Sequence, residues 1–143
     1  MVVIAREYSF SAAHRIEGHP KCGRLHGHNY KVIVEVRRRD RDSVDDKGMV
    51  IDFGDLDNVV KPIINRFDHR YLVSDSNRHN PHDPSQVVPD EGDWFHYLGL
   101  PASTAEYIAE ALKSELQYYL VPIGVIITRV IVWETEKSYA QIV

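Results

Sequence analysis

Residues 22–37 read CGRLHGHNYKVIVEVR, and the second half of this stretch alternates with a period of two. The apolar set of alternate positions comprises Tyr30, Val32, Val34 and Val36. Because side chains on a strand point alternately to its two faces, this pattern predicts a strand with one buried face. If the strand begins at His26, then His26 and His28 lie on the same face.

Three further stretches have the pattern of strands. Residues 2–13 alternate in the same way and predict a strand before this one. The β-branched run over residues 125–133 predicts a well-buried strand, and residues 138–143 predict a short final one.

Two helices are predicted between these pairs of strands. Apolar residues at helical offsets indicate a helix over residues 56–67, with Asp52 or Asp55 as its N-cap. The second helix is predicted to begin with a capping box, in which Ser103 is the N-cap and Glu106 reaches back to it.

The predicted order is strand, strand, helix, helix, strand, strand. Hairpins at both ends favour a four-stranded antiparallel sheet with both helices on one face, which is an α+β fold. A chain of 143 residues is expected to form one domain, here residues 1–143. Residues 73–102 have no sustained periodicity and are predicted to be a long loop insertion.

Charge and composition argue against several functional classes. The formal net charge is −4, so a nucleic-acid partner is not expected. The N-terminal segment has neither the layout of a signal peptide nor that of a spanning helix, and the chain has one cysteine. We therefore expect a soluble cytoplasmic protein with no membrane partner.

Three histidines form a candidate metal site. A hairpin brings His14, at the end of the first strand, beside His26 and His28 at the start of the second. Three neutral imidazoles suit Zn²⁺, and a catalytic zinc keeps its fourth position open. Alternatively, Cys22 is the fourth ligand and closes a structural site. The local residues leave both interpretations open.

The chain resembles the 6-pyruvoyltetrahydropterin synthase family, which includes the 6-carboxytetrahydropterin synthases. The matching motifs follow one another in the family's order over nearly the whole chain apart from residues 73–102. They are FSAAH (residues 10–14), Cys22 with HGHNY (26–30), GMVIDF (48–53), Asp68-His69 with Leu72, TAE (104–106) and Glu134-Thr135.

The resemblance implies the tunnelling fold, in which such sheets associate into barrels and two barrels stack as a homohexamer with active sites between subunits. It also implies roles for individual residues. These are zinc ligation by His14, His26 and His28; catalysis by the thiol of Cys22 with Asp68 and His69 as relay partners; anchoring of the pterin ring by Glu134; and substrate contacts by Thr104 and Glu106.

Within the family, the three residues between Cys22 and His26 resemble the carboxytetrahydropterin branch. The implied reaction converts 7,8-dihydroneopterin triphosphate to 6-carboxy-5,6,7,8-tetrahydropterin, acetaldehyde and triphosphate, as in queuosine biosynthesis. A 6-pyruvoyltetrahydropterin synthase, an aldolase that cleaves the side chain of dihydroneopterin, and a non-catalytic zinc-stabilised assembly module are the alternatives.

Overall fold

The computed structural model describes residues 1–40, 43–78 and 94–143. Six strands and three α-helices lie within these ranges. In chain order they are β1 (Ile4–His14), β2 (His26–Arg38), α1 (Phe53–Asn65), β3 (Arg70–Val73), α2 (Asp75–Arg78), β4 (Phe95–Tyr97), α3 (Ala105–Leu120), β5 (Val125–Thr135) and β6 (Ser138–Ile142). A 3₁₀ turn, Val121–Ile123, links α3 to β5.

The predicted antiparallel sheet forms the centre of the fold. β1 pairs with β2, β2 with β5 and β5 with β6, all antiparallel. Two short strands that the sequence analysis missed extend the sheet to the order β4-β3-β1-β2-β5-β6. β3 and β4 pair in parallel, so the sheet is mixed and has six strands. Strands of four and three residues are too short to carry a periodic signal.

The prediction of a structureless loop over residues 73–102 is wrong for part of its length. β3 ends at Val73, and α2 and β4 both lie within the range. Residues 79–93 of the predicted loop lie outside the described residues.

The core lies between one face of the sheet and the helices α1 and α3. Alternate residues of β1 and β2 are buried on that face, as period-two patterning requires. In β5 the core residues are Val125, Ile127, Val130 and Val132, because an irregularity in its pairing with β2 shifts the alternation after Ile127. The core cluster includes Phe10, Tyr30, Val32, Val34, Val130, Leu56, Ile63, Ile108 and Leu112. The two residues that come next toward the end of the sheet on this face are His28 and His14, so the core continues directly into the candidate site.

The two helix starts differ in how well the sequence predicted them. Asp52 caps α1, since its side chain accepts hydrogen bonds from the backbone N–H groups of Gly54 and Asp55. The predicted N-cap of α3 is wrong by one residue, because the cap is Thr104, whose hydroxyl accepts from Tyr107 N–H. Ser103 is fully buried instead, and its hydroxyl donates to the carbonyl of Arg15 at 3.0 Å.

A polar cluster fastens β1 to α1. Asp57 of α1 accepts hydrogen bonds from Arg6 Nη2 at 2.8 Å and from the hydroxyl of Tyr8 at 2.8 Å. The hydrogen bond from Arg6 is the main reason that the pKa of Asp57 lies below its usual value. The pairing fixes the strand that carries His14 against the helix layer.

Within the described residues, no helix is long and apolar enough to cross a membrane.

Candidate metal centre and active site

The structure brings the three histidines together at one end of the sheet. His14 is the last residue of β1 and pairs directly with His26, the first residue of β2. His28 is two residues further along β2, on the same face, opposite Ala12. The ligand nitrogens of the three side chains all lie within 4.8 Å of one another. These three residues could therefore hold a metal ion.

Backbone carbonyls fix the orientation of two of the imidazoles. His14 Nδ1 lies 2.7 Å from the carbonyl oxygen of Ser103, and His26 Nδ1 lies 2.7 Å from that of Arg24. A carbonyl oxygen only accepts, so each neutral ring carries its proton on Nδ1 and presents the lone pair of Nε2. Carbonyl partners of this kind are typical of histidines that bind metals.

The geometry of the Nε2 atoms fits a cation. Nε2 of His14 lies 3.1 Å from Nε2 of His26, and two lone pairs at this distance repel each other unless a proton or a metal ion lies between them. His28 Nε2 is buried and has no hydrogen-bond partner among the described residues. An unpaired buried nitrogen is costly, and a metal ion would satisfy it.

The electrostatic setting favours neutral imidazoles. Burial is the largest effect on His14 and His28, and it lowers the pKa of both. The neighbouring His26 lowers the pKa of each further. Because a histidine must be deprotonated to bind a metal, the lower pKa keeps the site competent toward acidic pH.

A small cavity beside the histidines gathers four of the predicted site residues. Its volume is about 240 Å³. Its lining comprises Ile16, His19, Cys22, Thr104, Ala105, Glu106, Glu134, Ser138 and Tyr139. Cys22, from the loop between β1 and β2, thus shares a cavity with Thr104 and Glu106 from the start of α3 and with Glu134 from β5.

Glu134 owes its position to an irregularity in the sheet. Trp133 pairs with Tyr139 and Thr135 pairs with Ser138, so Glu134 is the extra residue of a β-bulge. Bulges next to active sites commonly redirect a side chain. Glu134 Oε1 lies 3.6 Å from His28 Nε2, which is too far for a hydrogen bond, and the carboxylate remains available to another donor.

Asp68 and His69 lie apart from this cavity. The carboxylate of Asp68 accepts from Ser11 N–H at 2.8 Å and lies 2.8 Å from His69 Nδ1. Burial alone would raise the pKa of Asp68, but these two partners lower it below its usual value. The side chain of His69 is 79% exposed and faces a larger cavity of about 660 Å³. That cavity is lined mainly from the opposite face of the sheet, by residues that include Ser11, Ala13, Gly27 and Asn29, and it also borders His28.

The arrangement also bears on the role of Cys22. Among the described residues, the group able to hold a metal ion consists of the three histidines and does not include Cys22. The thiol is unpaired and partly buried. A site with three protein ligands is typical of catalytic zinc, whereas a structural zinc has four.

Sequence reasoning missed three residues that help to build the site. Ser103 contributes through its backbone carbonyl, which no side-chain motif reveals. Tyr139 reaches the cavity from β6, the strand that follows the bulge. His19 also lines the cavity, and it did carry a signal, because it directly precedes Pro20 and lies three residues before Cys22.

Comparisons with known proteins agree on one family. A family model described as 6-pyruvoyl tetrahydropterin synthase matches residues 3–143. A 6-carboxy-5,6,7,8-tetrahydropterin synthase from Haemophilus influenzae is 33% identical over 144 residues, which cover 99% of this chain and 98% of that protein. A protein from Archaeoglobus fulgidus is 48% identical over 71 residues, which are 50% of this chain and 58% of its own length.

Solved structures have the same fold. An uncharacterized protein from Wolinella succinogenes superposes with a TM-score of 0.78 at 26% identity, covering 99% of this chain and 97% of its own. The 6-pyruvoyl tetrahydropterin synthase of Caenorhabditis elegans superposes with a TM-score of 0.71 at 25% identity, covering 99% of this chain and 94% of its own.

The histidine cluster predicts stoichiometric metal binding. Purified protein is expected to carry about one metal ion per chain, and His26→Ala is expected to lose most of it because two nitrogens hold an ion far less tightly than three. Elemental analysis measures the content directly. His69→Ala, which removes an imidazole outside the cluster, is the matched control and should retain the metal. Full metal content in His26→Ala would contradict the assignment.

Proposed function

This chain belongs to the 6-pyruvoyl tetrahydropterin synthase family, and we propose that it is a zinc-dependent 6-carboxy-5,6,7,8-tetrahydropterin synthase. It converts 7,8-dihydroneopterin triphosphate to 6-carboxy-5,6,7,8-tetrahydropterin, acetaldehyde and triphosphate, in the branch that leads to 7-deazapurines such as queuosine. One water balances the reaction, because the triphosphate leaves from an ester. No external oxidant is needed, since the ring is reduced while the side chain is oxidised.

One observation carries this proposal, namely that a thiol and a carboxylate share a cavity beside three converging imidazoles. Cys22 and Glu134 line the cavity of about 240 Å³, and Glu134 lies 3.6 Å from His28 Nε2. The substrate has matching parts, because a pterin ring presents N–H donors and its side chain carries hydroxyl groups and exchangeable C–H protons.

The carboxylate of Glu134 is proposed to bind the pterin ring. The exocyclic amine and the adjacent ring N–H of a pterin can donate to both oxygens of one carboxylate, which gives strength and orientation together. Thr104 already uses its hydroxyl oxygen to cap α3, so its hydroxyl proton is available to a substrate acceptor. Glu106, in the first turn of the same helix, lines the cavity beside it.

Cys22 is proposed to move protons on the substrate side chain. With the ring held by Glu134, the side chain extends toward the histidines, and the thiol reaches it from the loop between β1 and β2. When bound, zinc supplies Lewis-acid polarisation of the side-chain oxygens, which acidifies the neighbouring protons. A positioned acid–base group of this kind contributes about 10²–10⁴-fold to the rate.

The product distinguishes this proposal from its alternatives. We expect the zinc-loaded protein to release acetaldehyde and 6-carboxytetrahydropterin from dihydroneopterin triphosphate, as measured by mass spectrometry. Cys22→Ala should lower turnover by about 10²–10⁴-fold while zinc content and thermal stability stay the same.

Three other results would redirect the assignment. A 6-pyruvoyl product without acetaldehyde would indicate the pyruvoyl synthase, the activity named for the similar structure from Caenorhabditis elegans. Release of the whole side chain as an aldehyde would indicate an aldolase. Joint loss of zinc and thermal stability in Cys22→Ala would indicate a structural zinc site.

Glu134→Gln tests whether the substrate is a pterin. The substitution keeps the shape but replaces one acceptor oxygen with a donor, which leaves a pterin N–H facing an N–H. The expected loss is about 2–4 kcal/mol of binding free energy, or about thirty- to several-hundred-fold in Kd. Titration with a pterin analogue measures it. Glu136→Gln, two residues away and exposed, is the control. Unchanged affinity in Glu134→Gln would show that the pterin anchor is misassigned.

The position of His69 leads to a proposal about assembly. His69 and Cys22 line different cavities in one chain, which favours a site in which His69 of one subunit serves the substrate held by Cys22 of another. The sheet offers two strand edges for such an association. Within the described parts of the chain, Ala12 and Ala13 are the residues of β1 that pair with β3, on the side away from β2, and β5 is the one strand paired with β6.

Open edges of this kind invite pairing with another chain, and closing the sheet into a barrel removes them. We therefore expect a homohexamer of the 16.5 kDa chain with active sites between subunits. Analytical ultracentrifugation at micromolar concentration measures the mass. A stable monomer with full activity would rule out a shared active site.

A further inference from the structure

The loop between β1 and β2 is closed by backbone hydrogen bonds around Cys22. Ile16 N–H donates to the carbonyl of Cys22 at 2.7 Å, and Gly23 N–H donates to the carbonyl of His19 at 2.9 Å. The second of these bonds spans four residues, so residues 19–23 form a single helical turn. Cys22 therefore reaches the cavity from an ordered turn.

The imidazole of His19 caps this turn. His19 Nδ1 accepts from the backbone N–H of Cys22 at 2.8 Å and from that of Lys21 at 3.2 Å. These donors lie three and two residues further along, the positions that an N-cap side chain serves at a helix start. Pro20 follows His19 directly, and proline is favoured at the first position after an N-cap.

The other end of the turn is equally constrained. A Cβ atom at Gly23 would lie 2.4 Å from the carbonyl oxygen of His19, so only glycine allows this close approach. Arg15 Nε donates to the carbonyl of Gly23 at 2.8 Å and ties the turn back to the end of β1. Among the described residues, His19 is the one side chain that bonds to the backbone N–H of Cys22 itself.

We propose that His19 is a positioning residue that holds Cys22 in the active-site cavity by capping this turn. The inference rests on the proposed function only in taking Cys22 as the proton-transfer group. In this role His19 does not contact the reacting atoms of the substrate. The acceptor nitrogen Nδ1 faces the turn, so the neutral ring carries its proton on Nε2.

Two substitutions separate capping from imidazole chemistry. His19→Ala removes the acceptor, whereas His19→Asn replaces it with a side-chain oxygen that is among the best N-caps. Lys21→Ala is the matched control, because it removes an exposed side chain from the same turn and leaves the backbone N–H in place.

The first measurement is the rate at which iodoacetamide alkylates Cys22 in the zinc-loaded protein without substrate. Cys22 is the only cysteine, so the mass shift reports on it alone.

The second measurement is kcat and KM for dihydroneopterin triphosphate. For His19→Ala we expect faster alkylation and a lower kcat, each by about three- to thirty-fold, as loss of an N-cap would produce. KM should stay within about twofold, since the groups that bind the ring are unchanged. His19→Asn and Lys21→Ala should resemble the parent in both measurements.

Each contrary result has a definite meaning. Unchanged alkylation and kcat in His19→Ala would overturn the proposal. A fall in kcat for His19→Asn with normal alkylation would also overturn it, because the imidazole itself would then act on the substrate. If His19→Ala does not fold, His19→Asn decides: parent-like alkylation and kcat then support the capping role, and a lower kcat with normal alkylation overturns it. Failure of the proposed function gives a different signature, in which the parent does not turn over the substrate although alkylation still follows the capping pattern.

Discussion

The pairing register of β1 and β2 is the constraint on which the site depends. His14 lies opposite His26, and because strand side chains alternate, His28 joins them on the helix-facing side. A slip of one residue in this register would send His26 and His28 to the opposite face and leave His14 alone. The same register buries Phe10 and Tyr30, whose rings stack at 4.8 Å directly behind the histidines. The hydrophobic core thus specifies the position of the candidate metal site, since the three histidines cannot move without disrupting that packing.

Residues outside the β1–β2 hairpin supply the contacts that orient His14. Ser103, just before α3, lies far from His14 in sequence, yet its carbonyl holds His14 Nδ1 and its hydroxyl donates to the carbonyl of Arg15. These two bonds fasten the start of α3 to the end of β1. They also explain why the cap of α3 falls on Thr104, because Ser103 is already committed to the strand. The tautomer of His14 and the start of the helix that lines the cavity are therefore determined together.

The sequence was informative wherever one element carries its own signal. Alternation along β1 and β2 was enough to predict that His14, His26 and His28 converge, and the order of elements predicted the central antiparallel sheet. It was uninformative where position depends on distant contacts. The capping of α3 depends on its contacts with the end of β1. The strands β3 and β4 are too short to show periodicity. The direction of Glu134 depends on a bulge that is set by pairing with β6. Backbone contributions such as the carbonyl of Ser103 leave no trace in residue type.

The backbone at His69 is strained, and this strain bears on the proposal that the active site is shared between two subunits. His69 has a φ angle of 57°, in the left-handed region that costs free energy for a residue with a Cβ atom. Two contacts with Ser11 hold it there, one from His69 N–H to the carbonyl of Ser11 and one from Ser11 N–H to the carboxylate of Asp68. The result is an imidazole that is paired with a carboxylate and presented outward, with 79% of its side chain exposed. Packing does not account for this strain, because a side chain that is so exposed makes few packing contacts. It fits a group held ready for a substrate in the site of a neighbouring subunit, which is the role that the proposed assembly gives to His69.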